Sequence, residues 1–247
     1  MVRTPARSAT IMVAKRTTAS VRHPSIEEAE DDLSIEYPSS DGEPMAENKW
    51  QYVAMTDTVS VLENRFLGRP DVYVGGDMLM YYRMNDNATR VAPDVFVVFG
   101  AAGKHFRDSW IVWREGKAPD FVMEVASPST WRRDAGEKRD IYAGMGVTEY
   151  WRFDPTGEHF TPQLVGERLA GGAYQPITLE TDNDGTLRGR SDVLTLDICA
   201  RQGLELRLYD PETGQWLRTH RESEEALQAA EEEVRRLREQ LQNLQGS

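Results

Sequence analysis

The sequence predicts a mixed α/β or α+β domain built around one sheet, and three observations carry that expectation. Apolar stretches of strand length recur through the middle of the chain, at residues 71–74, 91–99, 119–125 and 147–153. A segment with helical spacing separates the last two, and clusters of Gly, Pro, Asn and Asp close most of them. A chain of 247 residues suffices for one large domain with appendages. No apolar run approaches the roughly 18 residues that cross a bilayer, which excludes a transmembrane helix. Cys199 is the only cysteine, so an intramolecular disulfide and a Cys-rich zinc site are excluded, and the four histidines are scattered. A reducing, cytoplasmic compartment is expected.

Residues 1–48 read as a disordered leader. Five basic residues and no acid lie before residue 23, and nine acids with no Lys or Arg lie between Ile26 and Glu47. The basic opening loosely resembles a transit peptide but lacks the apolar core of a secretory signal. Order is expected near Trp50, in a domain spanning 49–219. Asp57 or Thr58 is suited to cap a short helix carrying Val59, Leu62 and Phe66, which Gly68 ends. A strand at 71–74, the Gly75-Gly76-Asp77 turn and a strand at 78–82 follow, closed by Asn85-Asp86-Asn87. The near-continuous apolar run at 91–99 suits one strand covered on both faces, with Pro93 tolerated only near its start.

A polar, aromatic loop at 100–117 leads to a buried strand at 119–125. Ser127-Pro128-Ser129-Thr130 stops it, and Ser129 or Thr130 caps a helix running to about residue 143. Gly144 and Gly146 end the helix, a strand follows at 147–153, and Asp154-Pro155-Thr156-Gly157 closes it. Short strand-like pieces then alternate with Gly171-Gly172, Asp182-Asn183-Asp184-Gly185 and Asp210-Pro211-Glu212-Thr213-Gly214. Over 220–247, Leu227, Ala230, Val234, Leu237, Leu241 and Leu244 repeat at spacings of three and four, as in a coiled-coil seam. A helix this short is marginal alone, so its stripe calls for a partner: a second copy in a homodimer, or the domain itself.

The net charge of −12 argues against nucleic acid in bulk, but it is unevenly spread. Residues 49–219 carry twenty basic and twenty-five acidic side chains, so local basic patches remain open.

The informative feature is a set of acids in apolar strands. Asp94 opens one buried strand and Glu124 nearly ends the next, so antiparallel pairing would bring both carboxylates to one end of the sheet. A charge in such a run is costly unless paired or bound to a cation. Two converging carboxylates suit Mg²⁺, which takes a few oxygen ligands and keeps several waters. The cation could instead be Lys138, because Trp131, Asp134, Lys138, Ile141, Tyr142 and Met145 share one helix face. A plain i,i+4 surface pair of Asp134 with Lys138 is the competing reading.

Pro93-Asp94-Val95, Met123-Glu124-Val125-Ala126-Ser127-Pro128-Ser129-Thr130, then Asp134, Lys138, Tyr142, Gly146-Val147-Thr148-Glu149-Tyr150-Trp151 and Asp154-Pro155 strongly resemble the Uma2 family of restriction-endonuclease-like proteins. Weaker similarity at Tyr37-Pro38-Ser39-Ser40-Asp41-Gly42, Gly76-Asp77 and Leu206-Arg207-Leu208-Tyr209-Asp210-Pro211 extends it over most of the chain. The resemblance implies the PD-(D/E)XK nuclease fold, a mixed central sheet flanked by helices, and Mg²⁺-dependent hydrolysis of DNA phosphodiesters, with Mn²⁺ as a substitute ion. It places Asp94 as the first acid of that signature and Glu124 as the second. The usual lysine would fall at Ala126 and is absent; the resemblance implies that Lys138 takes its role from the next helix. On that basis Asp94, Glu124 and the Val125 carbonyl hold the metal while Lys138 orients water or offsets phosphate charge. Asp77 is carried as an additional metal ligand or, equally, a turn-forming residue. Asp134 supports the others or caps its helix, and Tyr142 reads as core packing.

For holding DNA, Lys104, His105, Arg107, Arg114 and Lys117 interleave with Phe106, Trp110 and Trp113, and Arg132, Arg133 and Arg139 decorate the helix. The alternative there is a solvated loop pinned by its tryptophans. The alternative for the whole protein is a nuclease-fold DNA-binding or scaffold protein without catalysis. A glycosidase would also use two carboxylates, but a buried lysine suits phosphate better than a sugar.

Overall fold

The computed structural model describes residues 32, 34–40, 42, 46, 48–101, 105–201 and 205–245. Lys104, Asp41 and most of the expected leader lie outside the described residues, as does the side chain of Leu244, while residues 34–40 of that leader are described and are hydrogen-bonded to the domain. In chain order the elements are α1 (Lys49–Arg65), β1 (Val72–Gly75), β2 (Met80–Tyr81), β3 (Arg90–Val91), β4 (Val95–Phe99), β5 (Trp110–Ile111), α2 (Val112–Glu115), β6 (Phe121–Val125), α3 (Trp131–Ala135) and α4 (Glu137–Met145). There follow β7 (Glu149–Phe153), β8 (Leu164–Ala170), β9 (Ala173–Pro176), β10 (Leu179–Thr181), β11 (Leu187–Ser191), β12 (Leu196–Arg201), β13 (Glu205–Asp210), β14 (Gln215–Trp216) and α5 (His220–Gln245).

The central sheet is mixed and six-stranded, in the order β1-β4-β6-β7-β8-β9. Within it β6 and β7 are parallel, and their crossover carries α3 and α4; the other neighbours are antiparallel. Side chains alternate across it. Val95, Val97, Phe121, Met123 and Trp151 pack with α1 and with β12 and β13, while Phe96, Val98, Val122 and Tyr150 pack with Tyr142 and Trp110 on the other face. Cover on both faces is why these strands read as unbroken apolar runs.

The expectation of one sheet needs correction. Strands β10 to β14 form a second, antiparallel sheet that shares a core with α1 and the central sheet, and β3-β2-β5 form a third. The join between the larger two is tight at Trp151: a Cβ added at Gly166 would lie 2.6 Å from its ring, and one at Gly189 2.8 Å.

Three element boundaries also differ from expectation. Helix α1 starts nine or ten residues early because Asn48 caps it, accepting a hydrogen bond from Gln51 N, whereas the hydroxyl of Thr58 donates to the Ala54 carbonyl inside the helix. The run at 91–99 divides at Ala92-Pro93-Asp94 into β3 and β4, which belong to different sheets. The helix expected after Thr130 breaks at Gly136 into α3 and α4, and Thr130 makes no side-chain cap. The Ser127 hydroxyl instead accepts from Thr130 N. Helix α5 opens with a reciprocal cap in which Thr219 and Glu222 bond each other's backbone N–H.

Candidate active site

Antiparallel pairing of β4 with β6 sets Val95 opposite Met123, so one residue further along the same register Asp94 stands abreast of Glu124. Both side chains are buried. Asp94 Oδ2 accepts a hydrogen bond from Val125 N at 2.7 Å. The Glu124 carboxylate is gripped on both oxygens, by the Tyr142 hydroxyl at 2.6 Å and by Lys138 Nζ at 2.9 Å. Lys138 Nζ also lies 2.9 Å from Asp134 Oδ1. Residues 134, 138 and 142 reach one spot because they succeed each other at intervals of four, and the break at Gly136 does not disturb that face.

Electrostatics at the cluster are set by crowding. Burial drives the Asp94 carboxyl up to about 6, against the pull of Lys138 and the Val125 N–H. Burial likewise drives Glu124 to about 7, with the Asp94 charge adding to it and Lys138 opposing. Asp134 is pushed to about 6 by burial and by Glu124. Burial alone would lower the Lys138 pKa, but Glu124, Asp134 and Asp94 outweigh it and hold the amine protonated. Fully ionised, three carboxylates face one ammonium, leaving two negative charges uncompensated in a buried site.

A divalent cation would neutralise that excess, and every side chain offering ligands is a hard oxygen donor. Among the described residues no group of three or more His, Cys, Asp or Glu side chains is close enough to cage a metal. The donors at the cluster are carboxylate oxygens, which suit a hard divalent ion better than zinc.

A cleft of about 580 Å³ opens over the cluster, lined by Asp77, Asp94, Ser127 and Lys138 with Arg90 and Arg133. Asp77 reaches it from the β1–β2 turn. Its φ is +47°, a left-handed conformation that Asp tolerates better than most residues, and its N–H donates to the Pro93 carbonyl. The neighbouring Gly76 is required by close approach: a Cβ there would lie 2.7 Å from the Asp94 carbonyl oxygen. The glycine pair thus seats the turn against the strand that carries Asp94.

The aromatic and basic loop does not flank the cleft. None of its described residues lines the cleft, because it folds as β5 and α2 with Trp110 fully buried. Arg107 is paired with Glu115 and stacked over Tyr73 and Trp110, Arg114 is paired with Asp32, and Lys117 with Asp120. On the helices, Arg139 is committed to Glu167 and Arg132 lies over Trp131. Only Arg133 of that set reaches the cleft. Arg90 was missed because nothing local to β3 announces that it faces the acids. The Tyr142 grip on Glu124 was also missed, although its spacing of four from Lys138 was a usable signal.

The fold and cluster define an α/β protein with an acid pair and a lysine at one end of a mixed sheet, beneath a polar cleft. The chain belongs to the Uma2 family, whose model, described as "Putative restriction endonuclease", matches residues 23–241. No curated protein gives a significant match. Among solved structures, one described as "a putative nuclease belonging to DUF820" from Anabaena variabilis aligns at 13% identity with a TM-score of 0.37, covering 70% of this chain and 75% of that one. No helix among the described residues is long and apolar enough to cross a membrane.

Proposed function

We propose that this protein is a Mg²⁺-dependent endonuclease that hydrolyses DNA phosphodiester bonds. The observation that carries the reading is the buried Asp94–Glu124 pair with Lys138 bound to it at the base of a cleft. Asp94, Glu124 and the Val125 carbonyl would hold Mg²⁺, or Mn²⁺ in its place; Asp77 lines the same cleft but does not gather with the other two acids into one metal-holding group. Bound there, the ion would polarise a phosphate oxygen and acidify a coordinated water.

The chain's own groups have separable tasks. The Val125 N–H and the Tyr142 hydroxyl fix one oxygen each of Asp94 and Glu124, so the two carboxylates are presented in set orientations. Lys138 Nζ donates to Glu124 and is ion-paired with Asp134 at 2.9 Å, and of its three N–H groups at least one would be open to the attacking water or the phosphate. Charge developing on the phosphate then meets a cation already placed and desolvated.

We also infer self-association through α5. Its stripe stands in water, with Leu227 53%, Val234 45%, Leu237 47% and Leu241 56% exposed, so the domain does not cover it. A homodimer seam would. Light scattering tests this: Leu237→Glu is expected to convert dimer to monomer, and a monomeric unaltered chain refutes it.

Catalysis is tested by nicking of supercoiled plasmid with and without Mg²⁺. Activity that needs the ion and disappears in Asp94→Ala, Glu124→Ala and Lys138→Ala supports the enzyme. A specific observation favours the rival, a DNA-binding or scaffold protein without catalysis: both Glu124 oxygens are already satisfied within the protein. Tight DNA binding by an inert protein supports that rival.

A further inference from the structure

Residues 36–40 cross beside the cleft as a fastened strap. The Tyr81 hydroxyl donates to the Pro38 carbonyl at 2.6 Å, Asn87 Nδ2 to the Glu36 carbonyl at 2.9 Å, and Asn85 N to the Tyr37 hydroxyl at 3.1 Å. Tyr37 in turn donates to Asp32 at 2.6 Å, and its ring packs edge-on against Tyr81 and Trp113 at 4.9 and 5.4 Å. Arg114 locks the end by pairing with Asp32 while its guanidinium sits 5.0 Å from the Tyr37 ring. Ser39 and Ser40 of this strap line the same cleft as Asp94 and Lys138.

The strap forms part of one wall of the cleft. At about 580 Å³ the cleft falls within the range of about 300–1,000 Å³ that encloses one small-molecule ligand. A short run of one polynucleotide strand fits a cleft of that volume, with the strap residues Ser39 and Ser40 forming part of its wall. The cations offered are also few. Arg90 and Arg133 line the cleft, and Arg133 is shared with Glu137. Among the described residues no aromatic side chain lines it. Its hydroxyls and arginines therefore suit phosphate and sugar, with bases left unread.

We infer that the cleft takes unpaired DNA, a single strand or a frayed end, held at about two phosphates by Arg90 and Arg133, and that the strap excludes an intact duplex. This rests on the endonuclease reading of the same site. The test measures binding by fluorescence anisotropy in EDTA, using a labelled oligothymidylate, its blunt duplex with oligodeoxyadenylate, and that duplex with an unpaired tail. Cleavage of the same three is followed in Mg²⁺.

The single strand and the tailed duplex are expected to bind at least about tenfold more tightly than the blunt duplex. The logarithm of the association constant is expected to fall with that of salt at a slope of about 1.4, dropping to about 0.7 in Arg90→Ala. Tyr37→Ala, which frees the strap, is expected to bring blunt duplex within about twofold of single strand. A blunt duplex bound as tightly as single strand by the unaltered protein, a salt slope unchanged in Arg90→Ala, or no binding of any of the three overturns the inference. Single-strand preference without cleavage keeps the inference and removes the nuclease. Internal cleavage of blunt duplex without preference keeps the nuclease and removes the inference.

Discussion

Two buried glutamates at opposite ends of the β6–β7 pair show what a site is made of. Glu149, at the start of β7, is inaccessible to water, yet it accepts hydrogen bonds from Trp151 Nε1, Ser191 Oγ and Asp192 N and pairs with Arg168. Its donors are mostly neutral and come from both large sheets, so it works as a clamp between layers. Glu124, near the end of β6, is as buried but abuts a second carboxylate and shares its lysine with a third. One carboxylate is satisfied; the other cluster carries excess charge. The first arrangement stabilises a fold, and the second leaves a demand that only a cation or protons meet.

The largest effects follow from exchanging these roles. Asp94→Asn keeps an acceptor for Val125 N but removes the charge, so Mg²⁺-dependent cleavage is expected to fall by about 10³-fold or more in plasmid nicking. Glu149→Ala is expected to do the reverse damage, costing about 3–5 kcal/mol in urea unfolding because Ser191, Trp151 and Asp192 lose their shared acceptor. If Asp94→Asn destabilised the fold as much, the contrast between clamp and site would fail.

A smaller effect concerns pH. Unperturbed carboxyl groups titrate near about 4, whereas Asp94 and Glu124 are raised to about 6 and about 7. A carboxyl with a raised folded pKa binds a proton on folding, so the stability it permits at pH 4 is lost as pH rises through the folded values. In EDTA the melting temperature is expected to decline between about pH 4 and 7 and then level off, with a shallower decline in Glu124→Gln. Mg²⁺ is expected to offset the loss at pH 8, where the carboxylates are free of protons. A melting temperature that instead rises from pH 4 to 7 in EDTA contradicts the crowding. Smallest of all, Arg168→Ala is expected to cost only about 0.5–1 kcal/mol in the same unfolding assay, since Arg168 is 38% exposed and Glu149 keeps its neutral donors.

The residues that come together at the candidate site were largely legible in the sequence. An acid at the edge of an apolar run stands out because nothing in a strand's own periodicity explains it, and Asp94 and Glu124 were found that way. Their meeting depended on antiparallel pairing, which the intervening loop permitted, and β4 with β6 pairs so. Lys138 was found from helical spacing. The loop arginines misled because charge composition is visible locally while its partners are not. Arg107 and Glu115 are near neighbours in sequence, but Arg114 meets Asp32 across 82 residues. The second sheet escaped notice for a similar reason: short strands between turns carry alternation without saying what covers them.

What the amino-acid order determined by itself was of short range: where most strands of the central sheet lie, which end of each carries an acid, and which helix face holds lysine and tyrosine. Those follow from periodicities of two and of nearly four residues. Tertiary structure alone decided which charges are satisfied. The Glu149 clamp, the neutralised loop and the strap fastened beside the cleft join residues that lie 40 or more positions apart in several contacts, such as Tyr81 with Pro38 and Glu149 with Ser191. Layer packing creates those meetings, and no local pattern encodes them, because a side chain's partner depends on how whole sheets stack.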